Sequence, residues 1–300
     1  MARPDPYAPL AAFAAPAGGS SLSAVLGGLL AVAAAYIGGQ ILVFGLLLPF
    51  QGPEQGAPLS RLGVLLFLLS YLAPLAMVVT WCRRVLGRPA AGLLGPAVRL
   101  WQHWLRAFLW VFGLMLVLLA LPSWTLELVR LNPVAPWLLT LPVMLPAVLL
   151  QTATEEVVFR GYLQQELAAR SKSPLVWMVL PSVAFGALHW GNGSSPADRL
   201  LYVGVISIYG MLSADLVART GSLGASIAFH FAVNIQSILL FGEEGLGLER
   251  AALGVLPPQD IELGGMTMGD MLGPAGLVIL AVSSVPFLLY WLAARVAVRR

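Results

Sequence analysis

The chain has 300 residues, 59% of them hydrophobic and only 10% charged, where soluble domains carry about 25% charged residues. Mean hydropathy is +0.85. A soluble enzyme or nucleic-acid binder of this length has nowhere to bury that much apolar surface, so both are excluded and a polytopic membrane protein is expected. The formal net charge is +3, and the single cysteine, Cys82, rules out an internal disulfide and a cysteine-based metal cluster. Sixteen of the seventeen basic residues are arginine, Lys172 being the exception. With the richness in Ala, Gly, Pro and Leu, this points to a GC-rich bacterial genome.

The first 21 residues are rich in Pro, Ala and Gly without periodicity, and are expected to form a disordered tail. The apolar run that follows is about twice the length of a signal-peptide core and lacks a basic lead-in. A spanning helix needs about 20 mostly apolar residues. Eight segments qualify: Leu22–Leu48, Leu62–Cys82, Ala107–Leu121, Trp137–Ala168, Leu175–Trp190, Leu200–Ala218, Leu223–Phe241 and Leu272–Ala294. The predicted fold is thus all-α, about eight transmembrane helices around an intramembrane polar cavity, with residues 22–300 as one membrane domain. The fourth segment is too long for one straight span, and Pro142 and Pro146 predict a kink or a short lead-in before a helix from about Ala147. The run RLWQHWLR, containing His103, suits a helix lying at the membrane interface.

With eight spans and both termini cytoplasmic, twelve Lys and Arg residues fall inside and four (Arg61, Arg130, Arg199, Arg250) outside. That asymmetry sets the orientation in a bacterial plasma membrane. The longest outer loop, 242–270, is acidic: Glu243, Glu244, Glu249, Asp260, Glu262 and Asp270 face one arginine. The two halves show no convincing internal repeat, which counts against an inverted-repeat transporter.

Ionisable groups within a membrane are costly, and each needs a reason. They gather in three spans. The fourth contains TATEEVVFRGYLQQE with Glu155, Glu156 and Arg160; the fifth ends AFGALHW with Phe185 and His189; the seventh contains IAFHFAVN with His230 and Asn234. Two of the three histidines therefore sit in apolar helices. Glu156 and Arg160 are one helical turn apart and can pair, a structural role. Glu155 is rotated about 100° away and has no basic residue at i±3 or i±4, which leaves it free for chemistry. His230 and Asn234 share a face, and Phe185 lies one turn before His189. Asp215 and Arg219 form another i,i+4 pair, read as structural. Glu166 is expected to be solvated or near Arg170. Gly204 and Gly210 suggest close helix approach, though not at G-x-x-x-G spacing.

Brought together, these spans offer a carboxylate, two imidazoles and a carboxamide. A Glu–His pair activates water as a general base, and a second His with an Asn donates to an oxyanion. The same Glu155, His189 and His230 could instead hold a divalent metal such as zinc. The H-E-x-x-H arrangement of zinc proteases is absent.

Glu155-Glu156-x-x-x-Arg160, Phe185-x-x-x-His189 and His230-x-x-x-Asn234, in that order, resemble the three motifs of the CPBP intramembrane proteases, the CAAX-protease and bacteriocin-processing family. The resemblance covers about residues 147–239. It implies an all-α fold with a cavity open to the cytoplasm, Glu155 and His189 activating water, His230 and Asn234 stabilising the oxyanion, and Glu156, Arg160 and Phe185 in support. It also implies hydrolysis of a peptide or lipidated peptide at the membrane, with membrane lipid and no nucleic acid as partners. The competing expectations are a non-catalytic scaffold or bacteriocin self-immunity protein, and a proton-coupled transporter. One mismatch remains in the spans themselves. By helical rise Glu155 and His189 lie roughly 20 Å from the inner ends of their spans, while His230 lies only about 12 Å past Gly221.

Overall fold

A computed structural model of the protein describes residues 5–47, 59–121, 127–193, 195–245, 247–257 and 266–299. All eight expected segments are helical. The first is α2 (Leu22–Leu47), and the second is α3 (Arg61–Leu69) followed by α4 (Leu72–Arg84). The third is α5 (Ala97–Ala120), and the fourth runs from α6 (Val134–Glu156) through a π-helical stretch, Val157–Gln164, into α7 (Gln165–Ala168). The fifth joins a π-helical turn, Leu175–Val179, to α8 (Leu180–Ala187); the sixth is α9 (Pro196–Thr220); the seventh is α10 (Gly224–Asn234), continued by π-helix to Leu240. After the short α11 (Met268–Met271), α12 (Pro274–Val298) is the eighth. Six of these helical runs are long and apolar enough to cross a membrane, whereas 175–187 and 224–240 are shorter. Side chains such as Leu30, Leu139 and Leu272 stand 72–80% exposed around the bundle, as lipid-facing residues must. The chain is an all-α polytopic membrane protein.

Three short strands gather at one end of the bundle: β1 (Arg130–Leu131), β2 (Phe241–Glu243) and β3 (Gly254–Leu256). Strand β3 is central, antiparallel to β1 and parallel to β2. Asn132 ties this end together by donating to the carbonyls of Glu249 and Ala252. Of the acidic loop, Asp260 and Glu262 lie outside the described residues.

Three expectations need correction. The segment from Asp5 to Ser21 is ordered: α1 (Ala8–Ala14) and a following 3-10 turn bury Leu10, Phe13, Ala14 and Ala17 against the bundle. Tyr7 donates to Asp215 at 2.8 Å. The apolar content of LAAFAAPA supplies an anchor that Pro and Ala counts conceal. The RLWQHWLR stretch is not a separate interfacial helix but the first turns of α5, because no Pro or Gly interrupts it before Gly113. In the fourth span, no separate lead-in precedes Ala147, since Pro142 and Pro146 lie inside one helix, Val134–Glu156, and a π-helical stretch follows at 157–164.

The depth mismatch is resolved by a sunken turn. Gly221, Ser222 and Leu223, between α9 and α10, are all buried. Gly221 ends α9 with φ +64°, and it meets Gly95, φ +80°, so closely that a Cβ on Gly95 would lie 2.5 Å from the Gly221 carbonyl. The Leu223 amide donates to the Leu94 carbonyl at 3.1 Å, and Ser222 Oγ contacts His103 Nδ1 at 2.9 Å. Covered by α1, residues 93–95 and the start of α5, the turn launches α10 from within the bundle. His230 thereby reaches the depth of Glu155.

At the base of α10 a Cβ on Gly224 would lie 2.0 Å from the Leu100 carbonyl, while one on Gly113 would meet nothing within 4 Å. Gly224→Ala is expected to destabilise the protein by about 1–3 kcal/mol through backbone displacement. Gly113→Ala should be neutral or stabilising by up to about 1 kcal/mol. Thermal unfolding of both variants in detergent measures the difference.

Candidate active site

The polar residues of the three motifs meet where α6, α8, α9 and α10 pack. Glu156, at the end of α6, is completely buried and holds four partners. Arg160 Nη1 lies 3.4 Å away, His230 Nδ1 is 2.9 Å from Oε1, and the hydroxyls of Ser213 and Ser226 both donate to Oε2. Arg160, 1% exposed, also donates to the Gly210 carbonyl at 3.1 Å and stacks over Phe185 at 4.7 Å. Gly210 is needed there, because a Cβ would sit 3.2 Å from the guanidinium and 3.0 Å from Ser182. The expected Glu156–Arg160 pair is thus present, and it anchors the imidazole of His230 as well.

Glu155 has a different environment. Its side chain keeps 15% exposure, and Oε2 lies 3.5 Å from His230 Nε2. That oxygen is buried and has no hydrogen-bond partner. Tyr71 lies close enough to the carboxylate to interact with it. His230 therefore stands between two carboxylates, with Nδ1 on Glu156 and Nε2 toward Glu155. Nδ1 lies within hydrogen-bond distance of the buried Glu156 carboxylate, and Nε2 faces Glu155 Oε2 at 3.5 Å without a hydrogen bond.

His189 ends the fifth span. Its Nδ1 lies 2.9 Å from the Phe185 carbonyl, an acceptor only, so Nδ1 carries the proton and Nε2 is the free atom. Among the described residues no ion pair joins His189 to Glu155. The two histidines are linked through Phe185, whose ring centroid lies 4.9 Å from that of His189 and 6.0 Å from that of His230. Asn234 donates through Nδ2 to Gln151 Oε1 at 2.7 Å, leaving its second amide hydrogen and its carbonyl oxygen for a ligand. As a metal set, Glu155, His189 and His230 do not fit an ion in this arrangement: among the described residues no group of three or more His, Cys, Asp or Glu side chains is gathered to hold one.

Four contributors escape the sequence patterns: Ser213, Ser226, Gln151 and Tyr209. Tyr209 packs edge-on against His230 at 5.3 Å, with a buried hydroxyl that has no partner. Ser226 is four residues before His230, and Gln151 four before Glu155. The same helical face that links the motif residues would have flagged both.

Elsewhere the structural pairs form as expected. Asp215 accepts from Arg219 Nε at 2.8 Å, and Glu166 pairs with Arg170 at 2.7 Å and with Arg88 at 3.1 Å. Gly204 packs closely on Leu280, where a Cβ would lie 2.9 Å from a side-chain methyl.

These surroundings separate two adjacent glutamates by their effect on stability. Glu156→Leu leaves Arg160 buried and uncompensated, and should cost about 3–5 kcal/mol. Glu155→Gln removes a carboxylate with an unmet acceptor and should leave the unfolding midpoint close to wild type. Thermal unfolding in detergent, run on both variants side by side, checks the contrast.

Residues 136–236 match the model of the family described as type II CAAX prenyl endopeptidase Rce1-like. The chain is also 29% identical over 109 residues to the uncharacterized protein YyaK of Bacillus subtilis (strain 168), a match covering 36% of either protein. It thus spans about a third of that relative's length. No solved structure matches. The stretch that matches contains every motif residue of the buried polar cluster, from Gln151 to Asn234. Over residues 136–236, about a third of its length, the chain is therefore similar to the Rce1-like family.

Proposed function

We propose that the protein is an intramembrane endopeptidase of the CAAX-protease type, hydrolysing a peptide bond at the membrane. The observation that carries this reading is the buried Oε2 of Glu155, which has no hydrogen-bond partner and faces His230 Nε2 at 3.5 Å. A water beside that oxygen gives its proton to Glu155, assisted by the free Nε2 of His189. The water oxygen bonds to the scissile carbonyl carbon. As the tetrahedral intermediate forms, its oxyanion accepts from the Nε2–H of His230 and from the second Nδ2–H of Asn234. The proton then passes to the leaving amine as the C–N bond breaks.

The supporting residues act through these. Glu156 holds the His230 ring by its Nδ1, and Arg160 holds Glu156. Phe185 fixes His189 by its backbone carbonyl and packs its ring between the two imidazoles. Gln151 fixes the Asn234 carboxamide. The Rce1-like match makes a lipidated C-terminal peptide the first substrate class to test.

Purified protein in detergent should cleave a fluorogenic farnesylated C-terminal peptide. Glu155→Gln should reduce kcat/KM by about 10²–10⁴-fold, the usual contribution of a general base. Asn234→Ala should reduce it about 10²-fold with little change in KM, as loss of an oxyanion donor does. Activity lost on chelation and restored by zinc would replace this mechanism with a metal-assisted one. Full activity in Glu155→Gln would contradict the mechanism outright. Folded wild type that cleaves nothing would remove the prenyl-peptide substrate and favour a scaffold or immunity role, whereas proton flux in liposomes abolished by Glu155→Gln would favour a transporter.

A further inference from the structure

At the end of the bundle opposite the small sheet, a cavity of about 400 Å³ opens where α1, α5, α9 and α12 meet. Four arginines line it: Arg99 from the first turn of α5, Arg219 from the end of α9, and Arg295 and Arg299 from the end of α12. His103 lines it too, with its Nδ1 on Ser222. The Asp215 carboxylate beside it is already engaged. Asp215 accepts from Arg219 Nε, from the Tyr7 hydroxyl at 2.8 Å and from Trp291 Nε1 at 3.0 Å. Among the described residues, no salt bridge holds Arg99, Arg295 or Arg299. Arg295 lies instead over the Trp291 ring at 4.6 Å. The lining of the pocket thus carries four arginines and no carboxylate around an open volume.

The surroundings of the pocket decide which anion it suits. Immediately beside it, α5 and α12 present apolar side chains outward: Val98 is 69% exposed, Trp101 64%, Leu292 46% and Val296 45%. A cationic pocket bordered by lipid-facing apolar side chains and an interfacial tryptophan matches the two halves of one molecule, a phosphate headgroup and its acyl chains. We infer that this pocket is a binding site for an anionic glycerophospholipid, its phosphate among Arg99, Arg295 and Arg299 and its chains along the outward faces of α5 and α12. The bound lipid joins the start of α5 to the end of α12 next to the turn at 221–223, and so braces the base from which α10 carries His230.

The test is lipid retention by the full-length protein, read by native mass spectrometry after reconstitution with phosphatidylglycerol or phosphatidylcholine. Wild type should retain one phosphatidylglycerol in strong preference to phosphatidylcholine. Near an anionic headgroup each arginine is worth about fivefold in affinity, so the triple variant Arg99→Gln/Arg295→Gln/Arg299→Gln should lose roughly 100-fold. The control Arg83→Gln/Arg84→Gln/Arg106→Gln removes the same charge elsewhere and should stay within about twofold of wild type. If the triple variant does not fold, Arg299→Gln alone, at the exposed end of α12, should still lose about fivefold. Equal loss in the control would reveal a diffuse surface field and overturn the inference, as would equal retention of phosphatidylcholine. Inorganic phosphate occupying the site as well as phosphatidylglycerol does would overturn the lipid assignment.

Discussion

Everything at the centre of this protein depends on keeping a buried carboxylate neutralised. Glu156 has no exposure at all, and an unpaired charge in that position would be unaffordable in a membrane. Its partners come from its own run and from two neighbouring helices: Arg160 from its own run, Ser213 from α9, Ser226 and His230 from α10. One side chain thus fixes how three helical runs meet. Glu156, which its spacing to Arg160 marks as structural, is the hub, and its neighbour Glu155 keeps a buried acceptor oxygen without a hydrogen-bond partner. Position on the helix decides between them, since a rotation of about 100° moves one carboxylate out of the network that saturates the other.

The second constraint is depth. A seventh helix starting at the membrane surface would hold His230 too shallow to meet Glu155. The fold solves this by burying the turn itself, which requires backbone groups to be satisfied without water. The Leu223 amide finds the Leu94 carbonyl, Ser222 finds His103, and two glycines with positive φ pass each other where no Cβ would fit. The same covering brings α1, α5, α9 and α12 together at the basic end. The scaffold that positions the polar cluster and the arginine-lined pocket are therefore consequences of one packing arrangement. The π-helical stretches belong to the same logic. One follows Glu156 and one follows Asn234, so two runs change pitch next to a motif.

Much of this was legible in the sequence, because hydropathy and i,i+4 spacing are direct physical signals. The eight helical segments and the Glu156–Arg160 and Asp215–Arg219 pairs follow from those two rules alone. What spacing within a helix cannot give is which residue on another helix completes a contact. His230 rather than His189 is the imidazole that reaches Glu155, and both faces of its ring are used, a matter of tertiary register. Ser213 and Tyr209 lie on α9, which carries none of the motifs, and a hydroxyl in an apolar helix gives no charge signal. The N-terminal segment misled for a related reason: composition marked it as disordered, while Tyr7, Leu10 and Phe13 were the anchors that docked it.

The central claim is that Glu156, and not its neighbour Glu155, ties the helical runs together through Arg160, Ser213, Ser226 and His230. Hydrogen–deuterium exchange read by mass spectrometry, on wild type beside Glu156→Gln and Glu155→Gln in detergent, tests it most directly. Glu156→Gln should raise exchange along α9 and α10, while Glu155→Gln should exchange as wild type does. Equal exchange in the two variants would contradict it.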